Sequence, residues 1–148
     1  TPNQWFDWVD DFSEGFAEVY IKGKGCNHIN EQGKLLWDKY IWFDYVGKFS
    51  EGVARVEIEG KGWNFINPQG ELLWKRNKLF DYVWGFSNGF AEVKLEGKGF
   101  NFINEQGELL WKEDKWFDDA FGFSNGFARV FKEGKLYKLN TKGELIKC

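Results

Sequence analysis

The most informative segment of this 148-residue chain reads FSEGVARV at residues 49–56. Its first four residues, as FSEG or FSNG, begin at positions 12, 49, 86 and 123, so that each step is 37 residues long. The second and third copies agree at 25 of 37 aligned positions without a gap. Identity of this extent indicates tandem repetition. We therefore describe residues 1–148 as a single repeat domain with repeats at 5–41, 42–78, 79–115 and 116–148.

Each repeat has the pattern of short β-strands separated by tight turns. In the third repeat, apolar residues at 91, 93 and 95 alternate with charged ones, as in a half-buried strand. Asn88-Gly89 before it favours a tight turn, because both residues tolerate positive φ. Glycine recurs every few residues and no helical periodicity persists. We predict an all-β fold with strands near 80–83, 91–95, 99–103 and 108–111.

Pro68 supports the placement of the turn that precedes the last of these strands. The second repeat reads Asn67-Pro68-Gln69-Gly70 where the third has Asn104-Glu105-Gln106-Gly107. Proline suits the second position of a type I turn, with Asn first and Gly last. A central strand would lose a ladder hydrogen bond there. The substitution therefore indicates a turn in every repeat.

Repeats of this size bury their aromatic faces only by stacking on one another. We predict β-hairpin or meander repeats stacked as an open, solenoid-like array, with a closed four-fold propeller or toroid as the alternative. The fourth repeat favours the open form, because it has lysines along its strands where such residues discourage edge pairing. One of them, Lys138, falls at about the position of Phe102.

Composition excludes several classes of function. Aromatic residues make up 20% of the chain and the net charge is −3, with acidic and basic residues interspersed. No basic stripe for nucleic acid is present. No apolar run approaches the ~18 residues of a membrane span. Residues 1–4 hold no charged-then-apolar leader, so we expect a signal peptide to be absent or already removed. We expect a monomer.

The repeated motifs resemble the WG-repeat family of bacterial β-repeat proteins. The similarity is carried by residues 49–56, Gly60-Lys61, Trp63, Ile66-Asn67 and Gly70, and by their counterparts along nearly the whole chain. Here Asn64 stands where the family's Trp-Gly pair has glycine. The resemblance implies a bacterial repeat scaffold with no general catalytic activity, and it supplies no functional residues.

Recurring polar positions are best explained as structural. Asp7, Asp44, Asp81 and Asp118 share one position, where each carboxylate is expected to accept backbone N–H groups beside a turn. The repeated serine has no base near it in the pattern. His28 stands where other repeats have Phe65 and Phe102, so we expect a residue at the edge of the core. We predict no enzyme, no catalytic residues, no metal site and no cofactor.

Positions that differ between repeats are the better candidates for a specific surface, because the shared fold does not require them. The aromatic residues at such positions are Trp8, Tyr20, Tyr45, Tyr82, Trp84, Phe121 and Phe131. Exposed aromatics can anchor a protein partner or stack on sugars. We predict a non-enzymatic module that binds a protein or peptide over an extended surface. The alternatives are a lectin-like carbohydrate-binding module and a purely structural array.

One further position alternates in charge along the chain: Glu18, Arg55, Glu92 and Arg129. Equal positions become neighbours when repeats stack. We therefore predict a ladder of ion pairs between repeats at this position.

Overall fold

A computed structural model describes residues 5–38, 42–58, 60–76, 78–111 and 115–147, and this part of the chain is all β. The strands of the first two repeats are β1 (Trp8–Ser13), β2 (Phe16–Ile21), β3 (Gly25–Asn30), β4 (Tyr45–Val46), β5 (Ala54–Ile58) and β6 (Gly62–Ile66). Those of the last two are β7 (Tyr82–Val83), β8 (Phe90–Leu95), β9 (Gly99–Asn104), β10 (Asp119–Ala120), β11 (Phe127–Lys132), β12 (Lys135–Asn140) and β13 (Leu145–Lys147). The described residues contain no helix long and apolar enough to cross a membrane.

Each repeat forms its own antiparallel sheet, which confirms the all-β repeat prediction. The strand orders are linear: β1-β2-β3, β4-β5-β6, β7-β8-β9 and β10-β11-β12-β13. Registers agree between repeats, since Val19 pairs with Asn27 as Val93 does with Asn101. The fourth repeat keeps this register despite its missing residue, with Val130 opposite Tyr137.

The predicted turns are confirmed. Asn88 and Gly89 have φ of 57° and 85°, and Ser87 and Phe90 bond across them as a two-residue hairpin. At the other turn, Gly70 N donates to Asn67 O at 3.0 Å, around Pro68. The Asn67 side-chain oxygen also accepts from the backbone N–H groups of Gln69 and Glu71. Side-chain acceptance of this kind explains why asparagine begins the turn.

The last predicted strand, residues 108–111, is wrong for the first three repeats. Its place is taken by single bridges, Ile29 to Leu35, Ile66 to Leu72 and Ile103 to Leu109. The chain then leaves the sheet to cover the next repeat. Trp111 stacks on Phe117 with ring centroids 3.9 Å apart, and Trp37 packs on Phe43 at 4.8 Å. Burial of a tryptophan outweighs further ladder hydrogen bonds, because these are individually modest in net energy.

The chain divides into two compact halves, residues 1–73 and 74–148. The single domain over 1–148, and the choice between an open array and a closed ring, concern the relation of these halves and stay predictions.

In the first half, repeat 2 packs on repeat 1 through Phe49. Its ring stacks on Phe16 at 4.5 Å and lies edge-on to His28 at 4.9 Å. The Ser13 hydroxyl donates to the Phe49 carbonyl, while the Glu14 carboxylate accepts from the backbone N–H groups of residues 51 and 52. Phe49 is only 2% exposed, so this contact removes a full aromatic side chain from water.

The second half repeats the same interface with different residues. Phe123 stacks on Phe90 at 4.8 Å and lies edge-on to Phe102 at 5.0 Å. The Asn88 side chain donates to the Phe123 carbonyl at 3.1 Å, which corresponds to the Ser13 contact. One interface design therefore joins successive repeats within each half.

Phe12 occupies the Phe49 position in repeat 1 but lies at the surface. It is 48% exposed, and neighbouring Val9 is 47% exposed, whereas Phe49 and Val46 are buried. The same sequence position thus has two environments, a buried one at Phe49, which packs on repeat 1, and an exposed one at Phe12.

Candidate functional site

All but one of the seven predicted aromatic residues are exposed, and Phe131 is half-buried. Trp8 and Tyr20 lie directly opposite each other on β1 and β2. Trp8 is 55% exposed. The structure therefore brings these two predicted residues together as one surface pair.

The corresponding group in repeat 2 contains one predicted residue and one that was missed. Tyr45 lies 5.5 Å from Trp63, ring centroid to centroid, at an interplanar angle of 59°. The Arg55 guanidinium lies 5.7 Å from the centre of the Trp63 ring. Its cation–π contact adds a positive charge to the group.

Repeat 3 has the largest group. Tyr82 and Trp84 meet edge to face, with centroids 4.8 Å apart at 80°. Trp84 is 6.1 Å from Phe100, and the Lys94 ammonium lies 5.5 Å from the Phe100 ring centre. Tyr82 and Trp84 were predicted; Phe100 and Lys94 were not.

Repeat 4 joins the remaining two predicted residues. Phe121 and Phe131 are 6.1 Å apart at 71°, again edge to face. Phe121 also borders a cavity of about 460 Å³ with Phe127, Arg129 and Lys138. We call the four groups the aromatic clusters: Trp8 and Tyr20; Tyr45 and Trp63; Tyr82, Trp84 and Phe100; Phe121 and Phe131.

Trp63 and Phe100 were missed because their position has the sequence pattern of a core position. In repeat 1 it holds Cys26, and an apolar position shared by Cys, Trp and Phe is typical of burial. All three are half-buried in the structure. The pairing register of the strands could have identified them, because this position lies directly opposite the variable position of Tyr20 and Lys94.

The recurring aspartate caps a turn, which confirms the structural interpretation at three positions. Asp7 accepts from Lys22 N at 2.6 Å and Asp118 from Glu133 N at 2.6 Å. Asp81 accepts from Glu96 N in the same way. The turn concerned connects the second and third strands of the repeat, some fifteen residues further along the chain. Among the described residues no group of three His, Cys, Asp or Glu side chains could hold a metal ion.

His28 is a core residue rather than one at the edge of the core. It is buried, and its Nε2 donates to the Gly47 carbonyl at 2.8 Å. Burial lowers the pKa of His28 to about 4, although the Gly47 bond acts in the opposite direction. The side chain is therefore neutral at pH 7 and serves repeat packing through Phe49.

Acidic neighbours replace the predicted ladder of ion pairs. Burial, followed by a hydrogen bond and repulsion from Asp10, raises the pKa of Glu18 to about 7, with Lys48 opposing. Burial and then Asp119 raise the pKa of Glu92 to about 7. Neither group of neighbours includes an arginine of the same position, so the ladder is wrong for these two glutamates. An ion pair between repeats 1 and 2 joins Lys48 to Asp10, at 3.5 Å.

Fold and surface together define a β-repeat protein, in which a constant frame presents side chains that vary from repeat to repeat. The chain belongs to the WG containing repeat family, whose model matches residues 6–24, 43–61, 63–98 and 117–135, more than half of the sequence. The resemblance found in the sequence is thereby confirmed.

The solved structures to which this chain is similar are distant in sequence. The computationally designed Ika4 protein is similar over 93% of this chain and 92% of its own, with 12% identity and a TM-score of 0.48. BamB from Moraxella catarrhalis is similar over 93% of this chain, with 10% identity and a TM-score of 0.48. This chain spans 50% of the BamB chain. Comparison with curated proteins gives no match.

Proposed function

We propose that this chain is a non-enzymatic binding module that recognises a protein or peptide through its aromatic clusters. The observation that carries the proposal is the geometry of the rings. Tyr82 and Trp84 meet at 80°, and Phe121 and Phe131 at 71°. Two rings at nearly a right angle form a notch, which suits an apolar side chain better than it suits a flat sugar ring. Tyrosine and tryptophan are also the residues most often found as anchors of protein interfaces.

Cationic side chains beside two of the clusters indicate the chemistry of the partner. Lys94 lies over Phe100, and Arg55 lies over Trp63. An acidic residue next to an apolar one in the partner would meet both features. Charge pairs at the rim of an interface affect the association rate and selectivity more than the affinity. We therefore propose a partner segment in which apolar and acidic residues are adjacent.

The differences between clusters favour a heterogeneous ligand. Each cluster combines different rings on the same frame, and the cation beside it is Arg55 in repeat 2 and Lys94 in repeat 3. A glycan built from one repeated sugar would be bound best by four sites with the same residues. A peptide presents a different side chain at each step, which matches a surface that changes from repeat to repeat.

A peptide-display selection run in parallel with a glycan array tests the proposal. We expect selected peptides that are rich in apolar and acidic residues, and we expect the Trp84→Ser variant to bind them at least about tenfold more weakly. Trp5→Ser is the matched control, because Trp5 is 87% exposed but lies outside the clusters. Saturation by a simple sugar at several equal sites, with no peptide selected, would instead establish the lectin-like alternative.

A further inference from the structure

A cavity in the second half of the chain is separate from the aromatic clusters. It has a volume of about 580 Å³. Trp111 and Lys115, from the end of repeat 3, line it together with Trp116, from the start of repeat 4; its other described lining residues are Lys98, Lys132, Tyr137 and Leu145. Its volume falls within the range of small-molecule sites, about 300–1,000 Å³.

The walls of this cavity are aromatic and held in place. Trp111 stacks on Phe117 at an interplanar angle of 7°. Trp116 is buried, with 6% of its surface exposed. Tyr137 and Leu145 pack against the hydrophobic core that repeats 3 and 4 share. A planar apolar group could therefore enter without reorganisation of the rings, which lowers the cost of binding.

The charged side chains among the described lining residues are three lysines. The Lys132 ammonium donates to the Trp116 carbonyl at 3.1 Å, which fixes it at the wall. The Lys115 ammonium lies 5.9 Å from the centre of the Trp111 ring. An anionic group would be attracted by these ammonium groups, and charge-assisted hydrogen bonds are among the stronger ones.

Trp116 adds a hydrogen-bond donor that is not satisfied. Its indole Nε1 is buried and has no partner among the described residues. A buried donor left without an acceptor costs about 1–3 kcal/mol, and such groups are rare in folded proteins. Because the Trp116 side chain lines the cavity, a ligand bound there would change the surroundings of this N–H group.

The fourth repeat departs from the others at two positions that line the cavity. Lys132 replaces the apolar Ile21, Ile58 and Leu95 of the earlier repeats. Tyr137 replaces asparagines that are buried, such as Asn101, whose amide donates to the carbonyls of Trp111 and Lys115. The shared frame is built without Lys132 and Tyr137. Lys132 and Tyr137 are therefore features of this cavity that the other repeats lack.

We propose that this cavity binds an aromatic carboxylate, with the ring between the aromatic walls and the carboxylate at the lysines. Two sources offer this chemistry, a free small molecule and the C-terminal aromatic residue of a peptide. The site lies apart from the aromatic clusters, so its test is independent of the peptide-binding proposal.

Calorimetric titration of the full chain with 2-naphthoate and with N-acetylphenylalanine represents the two sources. Each probe is paired with its neutral amide. We expect one site per chain and at least about tenfold weaker binding of the amide. We also expect the indole N–H resonance of Trp116, assigned with Trp116→Phe, to shift as the carboxylate is added. Stronger binding of either carboxylate identifies the source.

Two substitutions towards the third repeat make the test specific. Lys132→Leu and Tyr137→Asn introduce residues that the frame already accommodates at 95 and 101, and each should weaken carboxylate binding by about tenfold or more. Lys142→Leu, in an exposed turn, is the control and should change nothing. The proposal would be overturned if neither carboxylate binds up to about 5 mM, or if acid and amide bind equally well. It would also be overturned if the Lys132→Leu variant binds the carboxylate as tightly as the wild type does.

Discussion

At the scale of single residues, Gly70 is one of the glycines that have no room for any side chain. Its φ is 79°, and a Cβ placed there would lie 2.6 Å from the Leu36 carbonyl oxygen of the preceding repeat. Gly143 repeats this contact with Leu110 in the second half. These glycines combine a turn conformation with close approach of two backbones, so repeat stacking as well as turn geometry depends on them.

Gly70→Val and Gly107→Val should each destabilise the protein more than His28→Phe. Both glycines have positive φ, 79° and 83°, where a β-branched residue is strained by about 1–3 kcal/mol. Phenylalanine at 28 is the residue that repeats 2 and 3 use at this position. Urea midpoints at pH 7 provide the measurement.

Gly52→Val separates the two effects of a side chain at Gly70, the strain of positive φ and the close contact with the Leu36 carbonyl. Gly52 has φ of 83° but no atom within 4 Å of an added Cβ. Its substitution therefore reports the conformational strain alone. If Gly70→Val lowers the midpoint no further than Gly52→Val does, the contact with Leu36 is not the constraint described above.

His28→Phe should also change how stability depends on pH. The pKa of His28 is about 4 in the folded chain, whereas that of a free histidine side chain in water is 6.5. Between these values the unfolded chain takes up a proton that the folded chain does not, so the histidine makes stability fall as pH drops from about 6.5 towards 4. The variant lacks this loss. Its free energy of unfolding relative to the wild type should therefore rise as pH falls through that window.

Glu18 and Glu92 act in the opposite direction. Because their pKa values are raised to about 7, the folded chain holds protons that the unfolded chain releases between about pH 4.5 and 7. These glutamates make stability fall as pH rises through that range. The effect of His28 is therefore measured as the difference between variant and wild type at pH 7 and pH 4.5. A difference that stays constant would contradict a neutral, buried histidine.

At the scale of strands and turns, local signals predicted most of the structure. Asn88-Gly89 and the Asn67-Pro68-Gln69-Gly70 segment each restrict φ at named positions, so those turns were found. The last strand was predicted wrongly, because residues 108–111 have the same apolar-rich pattern whether they extend the sheet or cover the next repeat. Which of these happens depends on Phe117 and its counterparts, and a local pattern does not contain that contact.

The residues of the candidate site also divide into those that the sequence predicted and those that depend on contacts in the fold. Variation between repeats identified Trp8, Tyr82 and Phe121, because the frame does not require them. It missed Trp63, whose position also serves packing. The cavity beside Trp116 could not be inferred either, since it depends on how Trp111 and Trp116 lie relative to Lys132 and Tyr137. Lys132 was a usable signal, as a charge at a position that is otherwise aliphatic.

Phe49→Ala and Phe12→Ala offer a matched test of the repeat interface. The two residues share one position in the repeat, but Phe49 is 2% exposed and Phe12 is 48% exposed. Truncation of a buried phenylalanine costs about 3–5 kcal/mol, whereas a surface change usually stays within about 0.5 kcal/mol. We expect denaturant unfolding to show this contrast. Equal losses would mean that Phe49 does not carry the contact between repeats 1 and 2.

At the scale of the whole molecule, the repeated interface suggests that stability grows with the number of repeats. Each half joins its two repeats through a buried phenylalanine and the turn beside it. In arrays of this kind, stability is approximately the sum of the repeats and their nearest-neighbour interfaces.

Insertion of a second copy of residues 79–115 between 115 and 116 tests the predicted open array. An open array gains one interface, so the five-repeat protein should be a soluble monomer with a higher free energy of unfolding. A closed four-fold ring has no place for a fifth repeat. Lower stability, or oligomers in sedimentation analysis, would show that the alternative, a closed ring, is correct.

The pairing of strands has a consequence for the rate at which the chain folds. Among the described strands, each pairs with its immediate neighbour in sequence, and the side-chain bonds between repeats 1 and 2 join residues no more than 38 positions apart. The loops to be closed are therefore short, and their entropic cost is low. Relative contact order sets folding rates across small domains. We expect refolding in stopped-flow experiments to be faster than is usual for β-sandwiches of this length, and to begin in any repeat.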